Sequence, residues 1–491
     1  MKTRKRTVVS AISLTLLLAL VVIMPGLAQS TTKILSTNFT LVNLGTGAAT
    51  GVIEYFTQDG AAWGNGTENF VINSVGGQAI FRQYASAGDP GNPNLTDGAG
   101  SVVVSADQPL GAVVQIQARG QNPTSNGAYS GVSAGDTSFY VPLVAKNLST
   151  ASGMGNSQII VQNTSDITEA VEIEMIGSDG ASVYTKSGIT LQPGASFYYD
   201  LALEDTANIP DGWYGSAVAR TTTTNGSITV VSNFFTGDAM QTFNAFSSSS
   251  PATKWYIPLF TSRLSNSLST PIAVQNLSGS TIAAGAIQVT CVPDPGLQGY
   301  TPFTLTNSTE VGNAAAYYFN PVTDNTIPAG FYGSCIVEAP ANVVSFVQMR
   351  FLSTGEAAAY EAFPAGGTDT KVIVPLVAKR LSNGFATAVT IQNLGTTTAT
   401  VKLTYNPSPD YSGSSSAIEI SNVTIPAGSS LIQNHRTTDG VTELPEGWFG
   451  TLVVESDQPV VAFVQLTFLK SINPGLPKGD NFMAHDAFTQ P

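Results

Sequence analysis

The chain has 491 residues, of which 42% are hydrophobic and 11% are charged, and its formal net charge is −13. This mix suits β-strands joined by many turns and excludes both a coiled coil and a disordered chain. The acidic balance makes nucleic acid and anionic lipid poor partners. Because the acidic residues are scattered and form no calcium-loop pattern, we expect a solvated acidic surface rather than cation binding.

The N-terminus predicts export. Basic residues at 2–6 precede an apolar run from Ala11 to Met24, and the small residues Gly26 and Ala28 mark a cleavage site. We therefore expect residues 1–28 to be a removed signal peptide, and the protein to be secreted or held at the cell surface. An uncleaved anchor is the alternative, but the break at Pro25 argues against it. No later segment has the apolar length of a transmembrane helix, so no membrane span is expected after cleavage.

Short patterns recur at nearly constant spacing, which indicates tandem repeats. Strand-like runs end in asparagines that lie 120, 113 and 117 positions apart: Asn43, Asn163, Asn276 and Asn393. A second pattern, of which IPDGWYGS at 209–216 is one copy, has glycines 115, 118 and 117 positions apart: Gly100, Gly215, Gly333 and Gly450. The chain is thus predicted to hold four repeats, with repeat 1 at 29–138, repeat 2 at 139–254, repeat 3 at 255–370 and repeat 4 at 371–491.

Repeats 2 to 4 open with phrases such as YVPLVAKNLS at 140–149 and close with aromatic phrases at 243–246, 360–363 and 486–488. Repeat 1 lacks both. Between these landmarks apolar and polar residues alternate, as Val401, Leu403 and Tyr405 do in repeat 4, which indicates half-buried strands. The segments SADQPLG at 105–111 and ESDQPVV at 455–461 are predicted to be hairpin turns.

About seven short strands in 110 to 120 residues are typical of an immunoglobulin-like sandwich, whereas a β-propeller blade is shorter. The predicted fold is therefore all-β: four tandem immunoglobulin-like β-sandwich modules. The strand end QNLG at 392–395, the run at 396–405 and the Pro-x-Gly turn at 426–428 resemble uncharacterised exported immunoglobulin-like repeat proteins of filamentous bacteria. They resemble the bacterial cell-adhesion-related domain more loosely. The resemblance implies extracellular display and brings no catalytic residues.

Three aromatic residues follow the repeated Pro-x-Gly turn: Trp213, Phe331 and Trp448. We expect each to close one end of a sandwich core, because an aromatic residue fixed beside a turn in repeated modules usually packs. The alternative is an aromatic platform that binds sugar rings.

Basic residues recur after the Pro-Leu of the opening phrase, at Lys146, Arg263 and the pair Lys379 and Arg380. A solvated loop is the simpler interpretation. The alternative is an ion pair to a carboxylate of the adjoining repeat, which would fix the angle between repeats but contribute only ~0 to 1 kcal/mol if exposed.

Both cysteines, Cys291 and Cys335, lie in repeat 3 at positions that are apolar in the other repeats. In an oxidising compartment a structural disulfide is predicted. Two buried free thiols are the alternative.

The only histidines, His435 and His485, lie in repeat 4, so there is no repeated general base and no histidine cluster for a transition metal. No catalytic motif is present, and we expect no enzyme activity, no cofactor and no metal site.

The expected function is that of a noncatalytic surface protein, a rod of four modules with a structural or adhesive role. One alternative is a glycan-binding array that gains avidity from repetition, and another is a secreted hydrolase with an unrecognised carboxylate pair. Expected partners are extracellular polysaccharide, other surface proteins or further copies of the chain.

Overall fold

The computed structural model describes residues 35–83, 91–92, 95–118, 121–366 and 369–490. The predicted signal peptide at 1–28 lies outside these ranges. The described part of the chain is all-β, as predicted, with several antiparallel sheets and one short 3-10 turn at Leu201–Leu203.

Repeats 1 and 2 contain the first seventeen strands. Those of repeat 1 are β1 Ser36–Asn43, β2 Ala49–Thr57, β3 Ala62–Ile72, β4 Gln78–Arg82, β5 Gly100–Ala106, β6 Leu110–Gln117 and β7 Asn126–Ser130. Those of repeat 2 are β8 Ser138–Lys146, β9 Leu148–Thr150, β10 Gly153–Asn163, β11 Glu169–Ile176, β12 Ser182–Leu191, β13 Ser196–Asp200, β14 Trp213–Thr221, β15 Ile228–Thr236, β16 Ala239–Asn244 and β17 Phe246–Ser247.

Repeats 3 and 4 contain the other seventeen. Those of repeat 3 are β18 Ala252–Ser262, β19 Leu268–Ser269, β20 Ile272–Asn276, β21 Gln288–Pro293, β22 Phe303–Thr306, β23 Ala316–Phe319, β24 Phe331–Phe351, β25 Ala357–Glu361 and β26 Phe363–Pro364. Those of repeat 4 are β27 Asp369–Ala378, β28 Phe385–Asn393, β29 Ala399–Pro407, β30 Ile418–Ile425, β31 Ser430–Asn434, β32 Phe449–Phe468, β33 Phe482–Asp486 and β34 Phe488–Thr489.

Repeat 2 displays the strand arrangement most clearly, because its strands fall into two separate sheets. One has the order β13-β10-β15-β16 and the other β12-β11-β14-β8-β17. Alternation explains the packing: in β11 Val171, Ile173 and Met175 point into the core, while Glu172 and Glu174 point outward. Two such sheets with apolar inner faces are consistent with a β-sandwich.

The predicted hairpins at SADQPLG and ESDQPVV are wrong. β5 pairs with β2 and β6 pairs with β1, so the strands on either side of the first segment lie in different sheets. In repeat 4 the second segment lies inside the continuous strand β32, which pairs with β29 at one end and with β28 at the other. The physical reason is a crossing between sheets: the chain changes layer here without reversing direction.

The asparagines that end the repeated strands have one role in all four repeats. Each is fully buried, and its Nδ2 donates to the backbone carbonyl four residues later, at 2.6 to 2.8 Å. Its Oδ1 accepts from the N–H two residues later, at 2.8 to 2.9 Å. The side chain therefore pins an exposed turn through the local hydrogen bonds that asparagine favours. The pinned turns occupy 44–48, 164–168, 277–281 and 394–398.

The centre of the molecule is formed by one strand of each repeat, which comes next in the chain after the strand that leaves the layer crossing and pairs with it. These strands, here called the axial strands, are β7, β16, β25 and β33. β7 contacts β16, β16 contacts β25, β25 contacts β33, and β33 contacts β7 again. The four repeats are therefore arranged in a closed ring around these strands.

One hydrogen bond between neighbouring repeats is chemically equivalent at all four seams. The residue after the repeated glycine donates its hydroxyl to a backbone carbonyl of the next repeat, at 2.5 to 2.6 Å: Ser101 to Gly194, Ser216 to Ala314, Ser334 to Gly428, and Thr451 to Gly76. The last of these bonds joins repeat 4 to repeat 1. Stacked rings reinforce two seams, with Phe243 on Phe346 at 4.4 Å and Tyr360 on Phe463 at 4.1 Å between ring centroids.

The expected rod of four modules is therefore replaced by a ring. A rod leaves repeats 1 and 4 apart, whereas Thr451 bonds Gly76 and the axial strands β7 and β33 touch. The cause is that each repeat carries the same hydroxyl donor on one side and the same carbonyl acceptor on the other. Such head-to-tail contacts form a closed ring when the rotation between neighbours adds up to a full turn, and here four repeats complete it.

Candidate functional site: the ring axis

Two of the three aromatic residues that follow the Pro-x-Gly turn are closed off from sugars. Phe331 is 0% exposed and Trp448 is 1% exposed. Phe331 packs against Phe303 with a centroid distance of 4.9 Å, and Trp448 packs against Tyr405 at 5.7 Å. With no exposed ring face they serve the cores, so the sugar-platform alternative is wrong for both. Trp213 is half-buried and also packs against the core of its repeat.

Cys291 and Cys335 form a disulfide, as predicted. They face each other on the paired strands β21 and β24, with a Cα–Cα distance of 4.1 Å. Both are buried, at 0% and 1% exposed. Their role is to join two core strands within repeat 3.

Three of the recurring cations, Lys146, Arg263 and Lys379, bind carbonyls of their own repeats rather than solvent or the adjoining repeat. Lys146 is 1% exposed, and its Nζ donates to carbonyls of its own repeat, at 2.8 Å to Ile209. Arg263 likewise donates to Asp324 at 2.9 Å, and Lys379 donates to Val441 at 2.8 Å. Each cation thus holds the long loop before the Pro-x-Gly turn of its own repeat. The expectation of a solvated loop is wrong because a long cationic side chain can satisfy several buried carbonyls at once.

The paired residue Arg380 lies nearer the surface and forms an ion pair with Glu446, with a nitrogen-to-oxygen distance of 2.9 Å. Glu446 belongs to repeat 4, as Arg380 does. None of the contacts described for Arg380 reaches another repeat. The pair is half exposed, so its contribution to stability is small.

Both histidines are enclosed. His435 is 0% exposed and lies between Thr387 and Tyr405, at 3.2 Å and 3.1 Å from their hydroxyl oxygens. Burial lowers the pKa of His435 to about 3, with help from the nearby charges of Lys379 and Arg436. Burial also lowers the pKa of His485 to about 4. Such enclosed rings are poorly placed to serve as general bases.

One end of the ring axis is held by Asp480, which is 1% exposed. Its Oδ2 accepts from the N–H of Met240 in repeat 2 at 3.0 Å. Its Oδ1 accepts from the N–H of Ala357 in repeat 3 at 3.3 Å and of Phe482 in repeat 4 at 3.2 Å. Burial raises the pKa of Asp480 well above its usual range, and the N–H donors oppose that rise. One carboxyl therefore ties the starts of three axial strands together.

A depression of about 470 Å³ opens above Asp480 where all four repeats meet. Its walls are polar and come from Asn122 and Pro123 of repeat 1, Ser152, Thr236 and Asp238 of repeat 2, Thr354 and Gly355 of repeat 3, and Lys478 and Gly479 of repeat 4. No aromatic ring lines it. A depression of this kind suits a small polar group better than an apolar ligand.

The opposite end of the axis carries the last residue of each axial strand. Ser130, Asn244, Glu361 and Asp486 occupy the same register position, since each pairs with the corresponding residue of the preceding strand. The Asn244 N–H donates to Glu361 Oε1 at 2.5 Å, and the Asn244 Nδ2 donates to the Ser130 carbonyl at 2.8 Å. Glu361 and Asp486 end the contacting strands β25 and β33 at this same register position, so their carboxyl groups are neighbours. We call these four residues the axial cluster.

The axial cluster and the pinned turns lie on the same face of the ring. β10 and β16 both run antiparallel to β15, so Asn163 and Asn244 lie at the same end of that sheet. The same holds for Asn43 and Ser130 in repeat 1. We call this surface the turn face; the axial depression lies on the opposite face.

Sequence reasoning missed the axial cluster, although its signal was visible. The closing aromatic phrases begin at or one residue before Asn244, Glu361 and Asp486, so a polar residue recurs there with changing identity.

No group of three or more histidine, cysteine, aspartate or glutamate side chains suited to hold a metal occurs within the described ranges. No helix in the same ranges is both long and apolar enough to cross a membrane.

No protein-family model matches this chain, and no curated protein matches it significantly.

Proposed function

We propose that this chain is a noncatalytic extracellular structural or adhesion protein, exported by its N-terminal signal, in which four tandem immunoglobulin-like β-sandwich modules close into a ring. The observation that supports this most is the equivalence of the four seams, from Ser101 to Thr451. Equivalent seams give four copies of one exposed turn a fixed relative geometry. Fixed repeated turns suit a surface that holds a partner at several points at once.

The turn face is the proposed contact surface. Its four turns are pinned from within by buried asparagines, so little conformational entropy is lost when they bind a partner. The proposed partner is an extracellular polysaccharide or surface protein of the cell that exports the chain.

The test is a binding experiment with washed envelopes of the producing cells and the purified chain from residue 29 onward. The variant carries aspartate at the exposed turn tips: Thr46, Ile167, Ser280 and Thr397. We expect it to lose at least tenfold in binding. The matched control carries Asn122→Asp and Ser353→Asp on the opposite face and should bind as the parent does. Equal binding by both variants, or a parent chain that stays in the medium as monomer and binds no envelope, would contradict the proposal.

Glycan binding is a second candidate, because the aromatic that follows Trp213 is the exposed one. Tyr214 is 49% exposed and lies edge-to-face with Tyr318 of repeat 3, at 5.9 Å between ring centroids. An exposed ring at a seam can stack on a sugar. Tyr214→Ala should then weaken retention on a polysaccharide column, whereas the buried-core control Trp448→Phe should not. Equal retention of Tyr214→Ala and the parent would remove this candidate.

A further inference from the structure

The axial cluster contains acceptor atoms that have no partner. Asp486 Oδ1 and Asn244 Oδ1 each have less than 1 Å² of accessible surface, and neither accepts a hydrogen bond. Both residues are half-buried as a whole, so the cluster keeps a route to solvent. A buried polar atom without a partner costs roughly 1 to 3 kcal/mol, and native proteins seldom leave one so.

The cluster also has uncompensated negative charge. Glu361 and Asp486 come from repeats 3 and 4 and are brought together by the contact between β25 and β33. None of the ion pairs formed by the described residues includes either of them. The axial strands give them an amide and a serine as neighbours, and neither neutralises a carboxylate. Two adjacent buried carboxylates are strongly unfavourable unless a proton or a cation lies between them.

The orphan atoms and the charge point to the same ligand. Glu361, Asp486 and Asn244 supply two carboxylates and an amide carbonyl, all oxygen donors, from the ends of three neighbouring axial strands. This set fits a hard divalent cation, and the irregular geometry suits Ca²⁺ better than Mg²⁺, which demands a near-octahedral shell. A charge of +2 balances the pair. His485 is excluded from the set, since alternation along β33 turns it away from Asp486.

We propose that the axial cluster is a Ca²⁺ site, with Glu361, Asp486 and the Oδ1 of Asn244 as its side-chain ligands, and that the bound ion ties repeats 2, 3 and 4 together at the turn face. The ligands come from three repeats, so the site exists only where repeats 2, 3 and 4 pack together at their axial strands. Tandem extracellular modules bind Ca²⁺ with dissociation constants of about 10⁻⁴ to 10⁻³ M, and we expect a value in this range.

The test is calorimetric titration of CaCl₂ into the EDTA-treated chain from residue 29 onward, together with thermal unfolding at each Ca²⁺ concentration. We expect one Ca²⁺ per chain and a melting temperature that rises with Ca²⁺. Glu361→Gln combined with Asp486→Asn should abolish both effects, yet fold at least as stably as the Ca²⁺-free parent because two buried charges are removed. Asn244→Asp adds a third carboxylate and should tighten Ca²⁺ binding at least tenfold. Glu172→Gln, an exposed carboxylate on β11, is the matched control and should change neither.

Three outcomes would overturn the proposal. The first is no heat and no change in melting temperature up to about 10 mM Ca²⁺, well above the expected range, which would leave a shared proton as the occupant of the pair. The second is Ca²⁺ binding that persists in the double variant, which would place the ion elsewhere. The third is Asn244→Asp binding no more tightly than the parent, which would remove the amide oxygen from the ligand set.

Discussion

Replacing Thr451 by valine removes one hydroxyl at the seam between repeats 4 and 1. Thr451 is 1% exposed, and its Oγ donates to the carbonyl of Gly76, which is itself buried. Valine has nearly the shape of threonine and suits a strand equally well, so the hydrogen bond is the main property that changes.

The expected cost follows from the burial of the acceptor. A net hydrogen bond contributes about 1 kcal/mol, and a carbonyl left buried without its donor costs about 1 to 3 kcal/mol. We therefore expect Thr451→Val to lower the free energy of unfolding by about 1 to 3 kcal/mol. Ser216→Ala and Ser334→Ala, at the seams between sequential repeats, should cost a similar amount because their bonds are equivalent.

The assay is urea unfolding of the three variants and the parent, followed by circular dichroism at one protein concentration. The closed ring predicts that Thr451→Val is as destabilising as the other two. If Thr451→Val unfolds with the parent while Ser216→Ala and Ser334→Ala are destabilised, repeats 4 and 1 do not touch in solution and the reasoning fails.

Three further predictions concern single features of the repeats. Replacing Cys291 and Cys335 together by alanine should cost about 4 kcal/mol in urea unfolding, because the bond closes a loop of 44 residues, and reductant should then affect only the parent. The pKa of His435 is about 3 in the folded chain and 6.5 in the unfolded chain, so stability should fall by up to ~5 kcal/mol as the pH drops from about 6.5 to about 3. A His435→Gln variant whose unfolding shows the same pH dependence would contradict this. Gly450→Ala should cost at least about 2 kcal/mol, since its Cβ would lie 2.0 Å from a backbone oxygen of β29, while Gly475→Ala in an open loop should cost little.

The sequence was sufficient to predict the features that each repeat carries within itself. The asparagine that ends each repeated strand, such as Asn276, recurs in identical form because a local turn needs its side chain. The Cys291 and Cys335 pairing followed from apolar positions and an oxidising compartment. Repetition makes such residues visible, since one local role selects the same residue type four times.

The ring was not predictable from the same patterns. The hydroxyl of Ser334 bonds a backbone carbonyl, at Gly428, and every residue type carries a backbone carbonyl. The acceptor side of each seam therefore leaves no mark in the sequence. The donor side was visible as serine or threonine after each repeated glycine, but its partner was not.

The axial cluster escaped prediction for the opposite reason. Comparison of repeats detects identical residues, whereas the axial cluster consists of four different ones: Ser130, Asn244, Glu361 and Asp486. They differ because each meets its neighbours around the axis, as Asn244 meets Glu361 and Ser130. Four identical carboxylates there would repel one another. A site on a pseudo-symmetry axis is therefore made of residues that differ between repeats. Its signal in the sequence is the set of positions at which otherwise similar repeats differ.

Small-angle X-ray scattering of the chain from residue 29 onward tests the ring most directly. A compact chain of this length, or four modules closed in a square, has a radius of gyration of about 23 to 28 Å, whereas four such modules end to end exceed ~40 Å. We predict a value in the lower range, with and without Ca²⁺. A value near or above 40 Å would contradict the closed ring.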